Sequence, residues 1–422
     1  MTASGEKKFV DEGFDLAEEE VLNDNLLRWF GRENFLEGNK GQIRKAIARF
    51  IPEFKNKSIK VVTIAGTNGK GETAHGLENL LRQNGLKTAL WTSPHILSLR
   101  ERFLFSGKLL SYKKLESSFT EARKICDDEK WTFSYYEFLF FVFCRLVLES
   151  RVDVLILEVG LGGRLDAVNF LEPGLTAVVS ISRDHQKILG NKLSHILREK
   201  LGITRAGVPL ITALELGLFR NQTTSFCEKQ GTPSFDLFQK GYLRKEDSYS
   251  FRNQAMATIL CELLLQGKKT KEELCSKKFR EVVSKQKFEA LKGRFEKWVF
   301  NGRSFCFVGA HNIDGVRKLT QSLEKSSFDD VILSFSKRDK KDILSILEHL
   351  VRYPCVYKKL TLTTFDHEKA YGWEKGSTWP KEISLVDDWK DYFDRRLSGE
   401  SVLITGSYYF IGEVQKYLYS RL

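Results

Sequence analysis

The chain has 422 residues, of which 42% are hydrophobic, 12% aromatic and 29% charged. That length favours two domains at roughly 100–200 residues each, and the composition excludes a mostly disordered, collagen-like or low-complexity chain. Lys and Arg number 67 against 55 Asp and Glu, a surplus of +12 that suits anionic partners; the positive residues are scattered, without the block that a nucleic-acid arm needs.

Residues 1–20 are polar and turn acidic toward their end, with no apolar signal core. Lys60–Ala65 (KVVTIA) predicts the first strand, and Lys87–Thr92, Val152–Val159, Leu175–Ser182 and Val208–Thr212 predict four more. Such continuous β-rich runs fit strands buried on both faces. Glu72–Asn84 predicts an amphipathic helix with Ala74, Leu77, Leu80 and Leu81 on one face and Gly85 as its stop. Phe138–Leu148 is the longest greasy run, interrupted by Arg145; at about half the ~20 residues that span a bilayer it predicts a buried helix. Strand and helix alternate, so the first region predicts a mostly parallel, doubly wound sheet.

The helical stretch Gln254–Gln266 and the charged stretch Lys268–Lys292 lead to a second, shorter series. Ser304–Gly309, Val331–Phe335, Val356–Thr363 and Ser401–Thr405 predict its strands, with a domain boundary near Lys292–Arg294. The seven cysteines, at 126, 144, 227, 261, 275, 306 and 355, include no Cys-x-x-Cys pair. Neither a zinc ribbon nor a disulfide framework is expected, and a reducing, cytoplasmic setting is.

Ala65-Gly66-Thr67-Asn68-Gly69-Lys70-Gly71 joins the first strand to the first helix. Glycines let backbone N–H groups turn inward around phosphate oxygens, the helix start adds partial positive charge, and Lys70 adds a full one. The spacing differs from the common phosphate loop, which puts four residues between its first Gly and the Gly-Lys pair; here two intervene. Glu158 closes a strand, and strand ends open onto the ligand crevice, where a carboxylate reaches a phosphate-bound metal. The turn Gly160–Asp166 follows, with Arg164 or Asp166 placed to read a substrate. His185, beside Asp184, follows the next strand; lone histidines are more often structural, but the strand-edge position favours a role. From spacing alone Lys200 reads as a solvated helix lysine. The Ser93 hydroxyl either binds Mg²⁺ or caps the next segment.

Taken together, AGTNGKG (65–71), TSPHI (92–96), EVGLGGRLDA (158–167), DH (184–185), REKLGI (198–203), RNQAMA (252–257), GRFE (293–296), AHN (310–312) and TGS (405–407) resemble the folylpolyglutamate synthase/dihydrofolate synthase family. This family is a branch of the Mur-type ATP-dependent amide ligases. The motifs occur in the family's order over most of residues 59–410, and EVGLGGRLDA is the most specific; the first 58 residues match poorly. The resemblance implies an α/β protein of two domains. Residues 1–293 would form a P-loop-type, doubly wound ATPase domain that binds ATP and pterin. Residues 294–422 would form a smaller, Rossmann-like α/β domain for glutamate ligation.

The implied reaction adds L-glutamate to a reduced folate or dihydropteroate through an acyl phosphate, with ATP and two Mg²⁺ ions. Thr67, Asn68, Gly69, Lys70, Gly71, Asn253 and Arg294 match nucleotide-contacting positions. Ser93, Glu158, His185 and Lys200 match metal ligands, Lys200 as a carbamate. Ser134 and Asp166 fall where the family contacts pterin, with Arg164 also facing substrate. His311 and Ser407 would face glutamate and the acyl phosphate. Lys70, Lys200, His185 and His311 are the expected catalytic set. The expected partners are small molecules, with no nucleic acid, no membrane and a monomeric chain.

Four positions depart from the family pattern. Glu72 stands where the family carries Ser or Thr, Val308 where it carries an acid, Ile313 where it carries proline and Leu201 where it carries alanine. Thr73 is a partial substitute for the hydroxyl lost at 72. Two other readings stay open on the sequence: a related ligase acting on another carboxylate, and a non-catalytic nucleotide-binding homologue. Joint retention of Glu158, His185 and Lys200 argues against the second.

Overall fold

A computed structural model describes residues 13–31, 40–266, 276–289, 291–323, 328–353, 357–372, 379–394 and 399–421. Residues 1–12 of the polar N-terminal stretch, part of Lys268–Lys292, Cys275 and Cys355 lie outside the described residues. Successive side chains of a strand point to opposite faces, and strand β1 (Lys60–Ala65) uses both. Val61 and Ala65 join one apolar cluster with Ala89, Trp91, Leu155 and Leu157. Val62 and Ile64 join another with Leu90, Val154 and Ile156. Helix Tyr135–Glu149 supplies Phe138, Phe140 and Phe143 to the first cluster. Helix Lys70–Gln83 supplies Ala74, Leu77, Leu80 and Leu81 to the second. Apolar residues on both faces of the strands therefore dictate a sheet with helices on both sides.

The other strands of this sheet are β2 (Thr88–Trp91), β3 (Leu104–Phe105), β4 (Lys108–Leu109) and β5 (Val154–Glu158). They continue with β6 (Leu175–Val178), β7 (Leu210–Thr212) and β8 (Ser234–Asp236). The order is β4-β3-β2-β5-β1-β6-β7-β8. Only the β2–β3 and β3–β4 pairings are antiparallel. Because β1 lies between β5 and β6, all parallel, their carboxyl ends open on one edge. The Gly-rich loop, Glu158 and Ser180–Ser182 thus meet there.

A second sheet contains β9 (Arg294–Phe300), β10 (Arg303–Val308), β11 (Phe328–Leu333), β12 (Tyr357–Thr363), β13 (Ile383–Val386) and β14 (Ser401–Thr405). Its order is β13-β12-β11-β14-β10-β9, parallel except at the β9 edge. Alternation again separates two faces. Cys306, Val308, Val331, Leu333 and Leu403 line one, and Phe305, Phe307, Ile332, Val402 and Ile404 the other.

The chain divides into two compact units. One comprises Glu20–His95 and Leu99–Glu289, the other Ala290–Leu422 with Ile96–Ser98 and the described residues 13–19. In the latter unit Tyr419 donates its hydroxyl to the Phe14 carbonyl at 2.8 Å, and Ser98 donates to Glu19 at 2.6 Å. The five cysteines among the described residues that are assigned a state are free and buried.

Candidate active site

The loop after β1 turns at Gly69, whose φ of +86° lies in the left-handed region that glycine tolerates best. Helix Lys70–Gln83 starts immediately after it, two residues earlier than the polarity pattern predicts, because the pattern marks only the apolar face. Two serines beyond β6 lace the loop. Ser180 O accepts from Thr67 N at 3.0 Å, and Ser180 Oγ accepts from Asn68 N at 2.9 Å. Ser182 N donates to Thr67 Oγ1 at 3.0 Å, and Asn68 Nδ2 donates to Ser182 Oγ at 3.3 Å. Neither serine was among the predicted site residues; their position at the carboxyl end of a predicted strand was the signal in the sequence.

Two lysines converge on one loop carbonyl. Lys70 Nζ donates to Gly66 O at 3.1 Å and to Thr67 O at 3.2 Å. Lys200 Nζ, from helix Leu193–Leu201, donates to Gly66 O at 2.8 Å. Far from being solvated, Lys200 is 3% exposed. Burial, reinforced by the nearby Lys70 charge, pushes its amine down to about 7. Glu158 is buried, accepts from Ser93 N at 3.2 Å, and abuts Gly71, where an added Cβ would lie 3.4 Å from both carboxylate oxygens.

Asn253, on helix Tyr249–Gln266, lies fully buried against Gly69. Glu72 turns to that same helix, accepting from Ser250 Oγ at 2.6 Å and from Asn253 Nδ2 at 2.7 Å. His185 sits at φ +48° before the short helix Gln186–Leu189, half exposed, with Asp184 4.0 Å from its Nε2.

The Gly160–Asp166 turn is held by a polar chain. Trp91 Nε1 donates to Tyr136 OH at 3.2 Å, which donates to Asp166 Oδ1 at 3.1 Å. Asp166 also accepts from Leu161 N and Val168 N at 2.9 and 3.1 Å, while burial raises its pKa. Its observed contacts therefore brace the turn. Arg164 is half exposed and pairs with Glu199 at 3.0 Å. Ser134 caps helix Tyr135–Glu149 in a reciprocal box with Glu137. Tyr136 and Trp91 were missed because aromatic residues in apolar runs read as core.

In the other unit Arg294 donates to Gly309 O at 3.1 Å and lies 5.1 Å over the Tyr408 ring. His311 packs 5.6 Å from that ring, and its carbonyl accepts from Arg338. Ser407 is buried and bonded to Ser336 at 2.8 Å. Val308 is 6% exposed within an apolar cluster with Ala310, Val316 and Leu333.

A divalent cation needs oxygen-rich ligands. Glu158, held beside the loop by Ser93, fits that need; Lys200 as an ammonium does not, and as a carbamate it would. Among the described residues no cluster of three or more His, Cys, Asp or Glu is placed to hold a metal ion. The expected set draws only Glu158 and His185 from those types. Among the described residues no helix is long and apolar enough to cross a membrane.

No family model matches the chain. Individual proteins do. The chain is 30% identical over 405 residues to dihydrofolate synthase/folylpolyglutamate synthase of Buchnera aphidicola subsp. Baizongia pistaciae, covering 89% of this chain and 90% of that one. It is 27% identical over 419 residues to the protein of that name from Bacillus subtilis, covering 90% and 94%. The crystal structure of bifunctional folylpolyglutamate synthase/dihydrofolate synthase from Yersinia pestis, complexed with AMPPNP and a Mn ion, superposes with a TM-score of 0.74. At 22% identity over 98% of this chain and 100% of that one, it shows a shared fold. Ordered motifs, a shared fold and 30% identity along nearly the whole length lead to one conclusion: the chain belongs to the dihydrofolate synthase/folylpolyglutamate synthase family.

Proposed function

We propose that this chain is an ATP-dependent amide ligase that adds L-glutamate to the carboxylate of a folate or dihydropteroate. The observation that carries the reading is the convergence of Lys70 and Lys200 on Gly66 O, with Glu158 against Gly71. A carboxylate does not react with an amine at neutral pH, so it must first gain a leaving group. One of its oxygens attacks the γ-phosphorus of ATP and ADP departs, giving an acyl phosphate. The glutamate amine attacks the acyl carbon, loses its proton and expels phosphate. Lys70 would offset charge on the transferring phosphoryl group.

Magnesium, when bound, supplies further charge neutralisation at those oxygens. Glu158, Ser93, His185 and Lys200 would hold two ions. The about-7 pKa of Lys200 supports its carbamate form, because only the neutral amine adds CO₂. The lowered pKa makes the neutral amine far more abundant near pH 7 than in an ordinary lysine. Carbamylation turns that cation into an anionic oxygen ligand. Asn253 and Arg294 are assigned to the nucleotide, Ser134, Arg164 and Asp166 to the pterin-bearing substrate, and His311 and Ser407 to glutamate and the acyl phosphate. On this reading 1–293 is the ATP- and pterin-binding part and 294–422 the glutamate-ligating part.

The test is ATP-dependent incorporation of labelled glutamate, with dihydropteroate and tetrahydrofolate offered separately. Product and ADP should form in equal amounts with at least one acceptor. No product with either acceptor, from folded protein, would remove the assignment.

A further inference from the structure

Glu72 departs from the family pattern, and its surroundings give it a task of its own. It lies in the first turn of helix Lys70–Gln83, where a negative charge near bound phosphates is unfavourable unless it is directed elsewhere. It is directed elsewhere: Ser250 Oγ donates to Oε1 at 2.6 Å and Asn253 Nδ2 to Oε2 at 2.7 Å. An ionised carboxylate only accepts hydrogen bonds. It therefore admits the amino side of the Asn253 amide and turns away the carbonyl side. That carbonyl oxygen, Oδ1, lies directly against Gly69. Asn253 is 0% exposed, and Oδ1 has no hydrogen-bond partner among the described residues. A buried amide oxygen without a donor is costly, and a ligand that brings a donor removes the cost.

We propose that Glu72 is a positioning residue that fixes the amide of Asn253, so that Oδ1 faces the Gly69 turn as an acceptor for a donor group of the bound nucleotide. This rests on the reading that the loop binds ATP. Glu72 acts through Asn253 and touches neither phosphate nor metal.

The full-length chain tests this as wild type, Glu72→Gln and Glu72→Met. ATP affinity is measured by calorimetry with and without Mg²⁺, beside Tm and steady-state ligation. Gln keeps an oxygen for Asn253 Nδ2, and its amino group can donate to Ser250 Oγ. Met fills a similar volume and accepts from neither. Met should weaken ATP binding about tenfold, the size of one lost oriented hydrogen bond, equally with and without Mg²⁺. Gln should stay within about threefold. In turnover, Met should raise KM for ATP with kcat changed less than about twofold. Should Met fail to fold, Glu72→Ser, the family's own residue type, serves in its place, because it is too short to reach Asn253; the same loss is expected.

Tighter ATP binding in both Gln and Met would mean that the charge merely repels phosphate, and would overturn the proposal. Equal losses in both that vanish without Mg²⁺ would mean a metal ligand, and would overturn it too. Wild-type affinity in every variant would remove the positioning role while leaving the ligase reading intact. A folded wild type that binds no ATP would remove both.

Discussion

Lys200 is the residue whose environment departs furthest from what its sequence neighbours suggest. REKLGI reads as a charged, solvated turn, yet Lys200 is buried and reaches Gly66 O. Its folded pKa of about 7 lies below the ordinary lysine value of 10.5. The folded chain therefore binds fewer protons than the unfolded chain between those values, so this lysine costs stability. The cost is full below pH 7 and fades as pH rises toward 10.5. In CO₂-free buffer Lys200→Met should thus melt higher than wild type at pH 6, with the gap narrowing steadily through pH 9–10, while ligation is lost. A gap that widens with pH would show that the lysine is stably charged in the fold.

Val308 is a second residue whose surroundings decide a question the sequence left open. The motif shows only that valine stands where the family carries an acid. The structure puts Val308 on the apolar face of β10, among Cys306, Ala310 and Val316. A carboxylate there would leave water for an apolar cluster, so Val308→Asp should cost on the order of 3 kcal/mol and give no gain in turnover. Thermal melts and initial rates check both halves. A stable variant with a large rate increase would mean that the face opens to substrate. No rate increase, beside robust wild-type turnover, would instead mean that another group carries the family acid's task, with His311, Asp314, Asp339 and Asp342 in the same unit as candidates.

At the scale of elements, the chain of Trp91, Tyr136 and Asp166 links β2, helix Tyr135–Glu149 and the Gly-rich turn after β5. Gly160 is required there because a Cβ would lie 2.9 Å from Tyr136 OH. Tyr136→Phe removes the donor to Asp166 and the acceptor for Trp91 Nε1. It should destabilise the chain by about 1–3 kcal/mol, the cost of buried polar groups left unpaired. Urea midpoints measure the loss; no change would mean that water replaces the hydroxyl.

The same elements show what sequence could and could not reveal. β1 and β14 were readable to the residue because each is a continuous apolar run ending at a turn. Helix Tyr135–Glu149 was readable as buried because ten of its side chains are. β3 and β4 were not, being two residues each, stabilised by pairing of β3 with β2 and of β4 with β3 that no local pattern encodes. β9 alternates buried and exposed side chains as an edge strand does, but its charged residues resemble a linker. The loop lysine was visible as a motif. The lacing by Ser180 and Ser182 depends on β6 lying beside β1, which is sheet order rather than spacing.

At the scale of the whole molecule, the +12 surplus acts on stability and on substrate capture in opposite senses. Like charges repel within a folded chain, so screening them favours the fold. ATP, glutamate and a folate carboxylate are anionic, so screening also weakens their attraction to a positive surface. Raising ionic strength from about 0.02 to about 0.2 M shortens the screening length from roughly 20 Å to roughly 7 Å. Close contacts such as Lys70 to a phosphate fall inside that range and keep most of their strength. Long-range attraction does not. With Mg²⁺ held constant, KM for ATP should rise severalfold with potassium chloride, kcat should change less than about twofold, and Tm should rise by a few degrees. A parallel fall in kcat and Tm would mean that salt disrupts the fold, and that the surplus is balanced locally by its acidic neighbours rather than spread over the surface.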